Sequence, residues 1–271
     1  MIELKPFRLP LGLKLGVLAG ALWALCLLAG APLTAQVNIE DLRPDDPPPG
    51  LSGSLRGDVN IQTGNVSFVR LGLEARVNRV EDSVHTLIVG DGGLGLIGSS
   101  RFASSGLAHY RETYWISEWA APEWFGQINY DRSRLLAFRA LAGAGVRSPT
   151  YHPEWGRIGG GTSLMLEHER FMLPDTAFHP ERSTVMRSST FLTLRAVFGD
   201  DGAVVVSSTT YIQPRLRDLR DVRLSENLSV ATSVTEQVAV TTSFDLRYDS
   251  RPPDEVSSLD TRLRTGITLR Y

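Results

Sequence analysis

The chain ends on DTRLRTGITLRY, residues 260–271. Successive side chains of a strand point to opposite faces. Read as a strand, this stretch therefore places Leu263, Thr265, Ile267, Leu269 and Tyr271 on one face. Asp260, Arg262, Arg264, Gly266, Thr268 and Arg270 fall on the other. A face carrying three arginines cannot be the dry core of a sandwich unless each charge is paired. It can be the wet interior of a barrel whose other face meets lipid.

The segment before it repeats the pattern. In QVAVTTSFDLRYDS, residues 237–250, Val238, Val240, Thr242, Phe244, Leu246 and Tyr248 share the apolar face. Asp245 and Arg247 lie on the polar face, where they can pair with arginines of the last strand. Working backward, polarity alternates near 221–234, 203–213, 188–199, 159–173, 135–147, 123–131, 105–119, 83–98, 66–79 and 51–62. With the last two segments this gives about twelve strands and no convincing helix. The fold class is all-β, a transmembrane antiparallel up-and-down barrel. An even strand count returns both termini to the periplasmic side. Thr63-Gly64-Asn65 and Asp200-Asp201-Gly202 supply hairpin signals. The longest break, Leu173 to Arg187, reads as an extracellular loop. Trp119, Trp124 and Trp155 fall at strand ends on the periplasmic side, as interfacial aromatics do.

The start of the chain is of a different kind. Lys5, Arg8 and Lys14 precede an uncharged apolar run, LGVLAGALWALCLLAG at 15–30, and then APLTA. This is the charged, apolar and small-residue order of a secretory signal peptide. The expected division is a signal peptide over 1–35 with cleavage near Ala35, a proline-rich periplasmic lead-in over 36–50, and an outer-membrane β-barrel over 51–271. An uncleaved anchor is the alternative, although the run is short for a full span. A lipoprotein signal needs small residues before Cys26, and Trp23, Ala24 and Leu25 stand there.

Composition narrows the function. The formal net charge of −2 lacks the basic excess of a nucleic-acid binder. Hydrophobic residues make up 42% of the chain, and mean hydropathy is near zero. That is how a membrane barrel with half-apolar strands reads. The one cysteine, Cys26, lies in the apolar run, so the mature chain has no disulfide or thiolate metal site.

No catalytic constellation is apparent. His109, in LAHYRETYW, has Glu112 and Tyr114 close in sequence. His168, in LEHER, has Glu167 and Glu169 beside it, but a strand points these two away from it. The glycine clusters at 90–93 and 159–161 lack the Lys-Ser/Thr and helix of a phosphate loop.

Several motifs together resemble the salt-induced outer-membrane protein family, a group defined mainly as a domain of unknown function. They are Ser52-Gly53 with Thr63-Gly64-Asn65 in LSGSLRGDVNIQTGNVS, FGQINYDRS at 125–133, and SFDLRYDSRPP followed by the terminal strand. The resemblance implies an outer-membrane barrel and supplies no catalytic residues. Tyr271, Leu269 and Ile267 form the expected assembly signal, since a strand end can dock by edge pairing. Arg262, Arg264, Arg270, Asp245 and Arg247 are the expected lumen-facing residues.

The functional expectation is a non-enzymatic envelope barrel in the Gram-negative outer membrane, either a narrow channel or a structural, stress-related protein. A lipid- or glycan-modifying enzyme on a similar barrel is the alternative, and a soluble β-sandwich or lipocalin-like protein is a third reading. Expected partners are the outer-membrane lipid bilayer, the barrel-assembly machinery and the secretion translocon, with a small solute or ion as cargo. No cofactor, metal or nucleic acid is expected.

Overall fold

The structure, a computed structural model, describes residues 39–40, 43, 48–63, 67–98, 100–117, 119–199, 202–235 and 238–269. The expected signal peptide, Arg270 and Tyr271 lie outside the described residues, as does the side chain of Leu269.

Alternating polarity drives the described chain into strands. They are β1 (Gly50–Gln62), β2 (Phe68–Glu81), β3 (Val84–Ile97), β4 (Ser100–Tyr114), β5 (Ala121–Asp131), β6 (Leu136–Arg147), β7 (Gly156–Phe171), β8 (Arg182–Phe198), β9 (Val204–Arg215), β10 (Asp218–Ser233), β11 (Val238–Asp249) and β12 (Leu259–Leu269). All twelve form one sheet in sequence order, each antiparallel to its neighbours. β1 and β12 are the two edges of the sheet among the described residues.

Some turns are fixed by backbone chemistry. Glu81 pairs with Val84, which leaves Asp82-Ser83 as a two-residue hairpin loop with Asp82 at φ 50°. Aspartate tolerates that left-handed conformation better than most side chains.

Contacts across the concave side show how far the sheet is rolled. Arg134, on the β5–β6 hairpin, reaches Asp260 at the start of β12 at 2.8 Å. Arg223 of β10 reaches Glu167 of β7 at 2.7 Å, past two intervening strands. The β7–β8 and β11–β12 loops meet where the His179 N–H donates to Asp254 at 2.6 Å. The result is an all-β, up-and-down barrel. Its terminal end is where β1 begins and β12 stops; the opposite end is the far end.

Strand limits differ most from the sequence expectation at β8 and at β4, which begins at Ser100 rather than 105. β8 begins at Arg182, so the loop spans only 172–181. Residues 182–187 already alternate, with Val185 and Arg187 buried while Thr184 and Met186 are exposed. β4 stops at Tyr114, and beyond it Ser117 Oγ donates to the Ala120 carbonyl.

Parity assigns the two faces. On β5, Trp124, Ile128 and Tyr130 are exposed on the convex side, while Glu123, Phe125 and Gln127 are buried on the concave side. Large apolar side chains cover the convex side from Leu51 and Leu55 on β1 to Leu263 and Ile267 on β12. Trp119, Trp124 and Trp155 are exposed at the terminal end. Tyr130 and Phe138 hold comparable places toward the far end.

Polar groups on the convex side are tied down. Glu226 of β10 accepts from Ser208 at 2.6 Å and from Thr210. Glu112 of β4 accepts from Tyr110 and Tyr114.

Candidate functional site

The lumen is the candidate site, and from β4 to β10 it is filled in layers. The layer nearest the terminal end is ionic. Arg111 of β4, Glu123 of β5 and Arg147 of β6 face inward there, and the chain before β1 adds Glu40. Arg111 and Arg147 reach Glu40 at 2.6 and 2.5 Å, and Glu123 at 3.5 and 3.2 Å. Arg43 donates to Thr113 at 3.2 Å. Ile39 packs on Leu87, Val89 and Leu107.

Burial alone would raise the Glu40 carboxyl. The guanidiniums of Arg147, Arg111 and Arg43 outweigh it and hold the group at about 2. Burial lowers Arg43 to about 9, helped by its neighbour Arg147. Residues 39, 40 and 43 thus lie inside the wall, although their segment reads as a lead-in from sequence.

The middle layer is apolar and aromatic. Phe125, Met165, Phe191 and Tyr211 are buried. Arg111 lies over the Phe125 ring at 5.1 Å and Arg147 over the Phe191 ring at 4.6 Å, which joins this layer to the ionic one. Glycines make room for both rings. A Cβ on Gly143 would stand 2.5 Å from Phe125, and one on Gly161 would stand 2.6 Å from Phe191. The space left between the layers is a cavity of about 30 Å³. Three of its lining residues carry a buried atom without a protein hydrogen-bond partner: His109 Nε2, Arg111 Nε and Gln213 Oε1. Such a space admits about one or two waters and no larger solute.

The third layer, toward the far end, is again ionic. Glu167 of β7, fully buried, is its hub. It accepts from Arg139 Nε at 3.0 Å, Arg187 at 3.1 Å and Arg223 at 2.7 Å. Arg223 also reaches Glu169 at 3.0 Å and Asp249 at 2.7 Å, and Arg187 reaches Asp221 at 2.8 Å.

The flank formed by β1–β3, β11 and β12 is different. Inward residues of β1, such as Arg56 and Asp58, are exposed, Arg76 of β2 and Arg247 of β11 are half-buried, and on β3 the stretch near the terminal end, His85, Leu87 and Val89, is buried. The residues singled out from sequence belong to this flank. Arg264 pairs with Asp245 at 3.0 Å, Asn227 donates to Asp245, and Arg262 stands opposite Asp245 in register. Arg247 stands opposite Asp260. Ile267 is exposed on the convex side.

The histidines weighed for catalysis are separated from their sequence neighbours. His109 is buried in the lumen against Gln127 at 3.1 Å, while Glu112 lies on the convex side. His168 is on the convex side with Thr184 at 2.8 Å, while Glu167 and Glu169 face inward. Sequence reasoning missed the ionic layers. Parity could have placed Arg111, Glu123, Arg147, Arg139, Arg187 and Arg223 on the concave side, but nothing in the sequence marks Glu40 as their partner.

Fold and lumen together define a class: an up-and-down β-barrel whose interior is braced by ion pairs. Residues 181–271 match the model of a family described as a protein of unknown function, DUF481. That stretch includes the resemblance seen at the end of the chain, and the description says nothing of salt. Among solved structures, the translocator domain of autotransporter NalP from Neisseria meningitidis is similar over 82% of this chain and 87% of that chain. The sequence identity is 12% and the TM-score 0.35, a likeness too low to carry an argument. No curated protein matches the chain.

Proposed function

We propose that the protein is an outer-membrane barrel of a Gram-negative envelope, closed across most of its section and without catalytic chemistry. The observation that carries this is the inversion of an ordinary globular pattern: ion pairs inside and an exposed apolar convex face ending in aromatics. A soluble protein exposing that much contiguous apolar surface would aggregate, whereas lipid is the solvent such a face suits. The terminal end is then periplasmic and the far end extracellular.

The filled arc from β4 to β10 supports a structural barrel, and any water path runs along the open flank. That flank carries Arg56, Arg70, Arg76, Arg247, Arg262 and Arg264 inward, against Asp58, Glu74, Asp91, Asp245 and Asp260. Asp249 of β11 is already held by Arg223, and the remaining six arginines against five acids, all of them described residues, give only weak anion selectivity. The expected structural, stress-related role is compatible with a barrel that braces the envelope and passes little.

Fractionation with heat-modifiable gel mobility tests the membrane reading. The protein should pellet with outer membranes and shift on boiling; solubility without detergent would refute it. Planar-bilayer conductance of the refolded protein tests closure. Small or absent steps are expected, and large, steady porin-type currents would refute it.

A further inference from the structure

A groove of about 640 Å³ lies on the convex wall across β3 to β7. Its volume is in the range of about 300–1,000 Å³ typical of small-ligand clefts. Its floor is made of Ala108, Gly126, Ala140 and Ala142 on three neighbouring strands, with Gly126 directly opposite Ala142 and with Ile128 between Ala108 and Ala140. Small side chains there drop below the surrounding apolar surface, and Trp124 and Leu166 are among the side chains that wall the hollow.

The groove ends toward the far end at His168, which lines it. Beyond His168 on the same face is Arg170, and directly opposite Arg170 on β8 is Arg182. Both arginines are exposed, and Glu181 approaches Arg182 at 3.7 Å. Like charges placed opposite each other across a ladder are destabilising, and an anion held between two guanidiniums reverses the sign. Arginine presents a planar fork that suits phosphate.

We propose that this wall binds a phosphorylated glycolipid of the outer leaflet, with one acyl chain in the groove and a phosphate on Arg170 and Arg182. This rests on the membrane reading, which places the arginine pair at the extracellular leaflet. The apolar groove and the basic pair lie on one face and adjoin at His168. A lipid with a chain and an anionic head satisfies both at once.

The probe is bisphosphorylated lipid A, offered in detergent to the refolded mature protein and counted by native mass spectrometry. Phosphatidylglycerol serves as the competitor. The wild type should retain lipid A in preference to phosphatidylglycerol. Arg170→Glu combined with Arg182→Glu should weaken retention by about ten-fold, and Ala142→Phe, which fills the floor, should also weaken it. Equal retention by wild type and the double arginine variant would overturn the proposal, as would equal retention of the two lipids. Loss of a dimer in Ala142→Phe with lipid retention unchanged would overturn it in favour of a second copy of the chain. Heat-modifiable mobility is read on every sample. A barrel that shifts on boiling but shows no preference for lipid A refutes the groove alone, while a wild-type chain that never shifts refutes the membrane reading.

Discussion

Replacing Glu167 by leucine removes the carboxylate at the centre of the far-end ionic layer. Glu167 is fully buried and serves three arginines. Their remaining partners decide the magnitude. Arg223 keeps Glu169 and Asp249, and Arg187 keeps Asp221. Arg139 is itself buried and keeps a longer contact to Glu169, at 3.6 Å. Breaking a buried pair by deleting one partner costs about 3–5 kcal/mol, because the other charge stays in a poor solvent. Two of the three arginines retain a close acid, so the expected loss is one such unit, about 3 kcal/mol. A companion double variant, Glu167→Leu with Arg139→Leu, removes the arginine whose nearest carboxylate was deleted and should recover part of that loss. The assay is urea unfolding in lipid vesicles, followed by heat-modifiable mobility. A single variant within about 1 kcal/mol of wild type, or a double variant no more stable than the single, would refute the view that charge pairing holds this layer together.

Glu40 gives a pH signature. Its carboxyl falls from 4.5 when free to about 2 in the folded barrel. The group is depressed on folding, so its stabilisation is complete above 4.5 and is lost as pH falls through about 2. Wild type should be more stable than Glu40→Gln at neutral pH, and the two unfolding curves should converge on acidification; a constant gap would contradict this. Gly143→Ala would bring a Cβ to 2.5 Å from Phe125 and 2.8 Å from the Leu164 backbone oxygen. Overpacking of this kind costs about 1–3 kcal/mol. Gly90→Ala meets nothing within 4 Å and is the matched control, so equal urea midpoints for the two would argue against a tight middle layer. Tyr271→Asp should lower the amount of heat-modifiable protein in the outer-membrane fraction, and normal levels would remove any role for the terminal aromatic in assembly.

Strand parity was the legible part of this sequence. The alternation of β11 and β12 is local, so the faces of Asp245, Arg247, Arg262 and Arg264 follow from a period of two without knowledge of the rest. The number of strands was legible for the same reason. The braced lumen was not, because its pairs are remote. Glu167 and Arg223 are 56 residues apart, and Glu40 and Arg147 are 107 apart. Parity tells which side of the wall a charge occupies but not which charge it will meet across the interior. Glu40 was hidden further, since the prolines around it carry no periodic signal. The start of β8 lies earlier than the break from Leu173 to Arg187 suggests, because Val185 is buried and Arg187 finds Asp221 inside the wall.

The uneven filling of the lumen has a mechanical consequence. From β4 to β10 the wall is cross-braced, so deforming it means separating buried charges. β1 and β12 are held by one ladder each among the described residues, and their side chains are exposed on both faces. The barrel is therefore a stiff arc joined to a compliant one, and local opening begins where buried contacts are fewest. Backbone amides of the edge strands should exchange with solvent long before those of β7 and β8. Lateral tension in the surrounding bilayer would be taken up at the seam, leaving the braced arc undistorted.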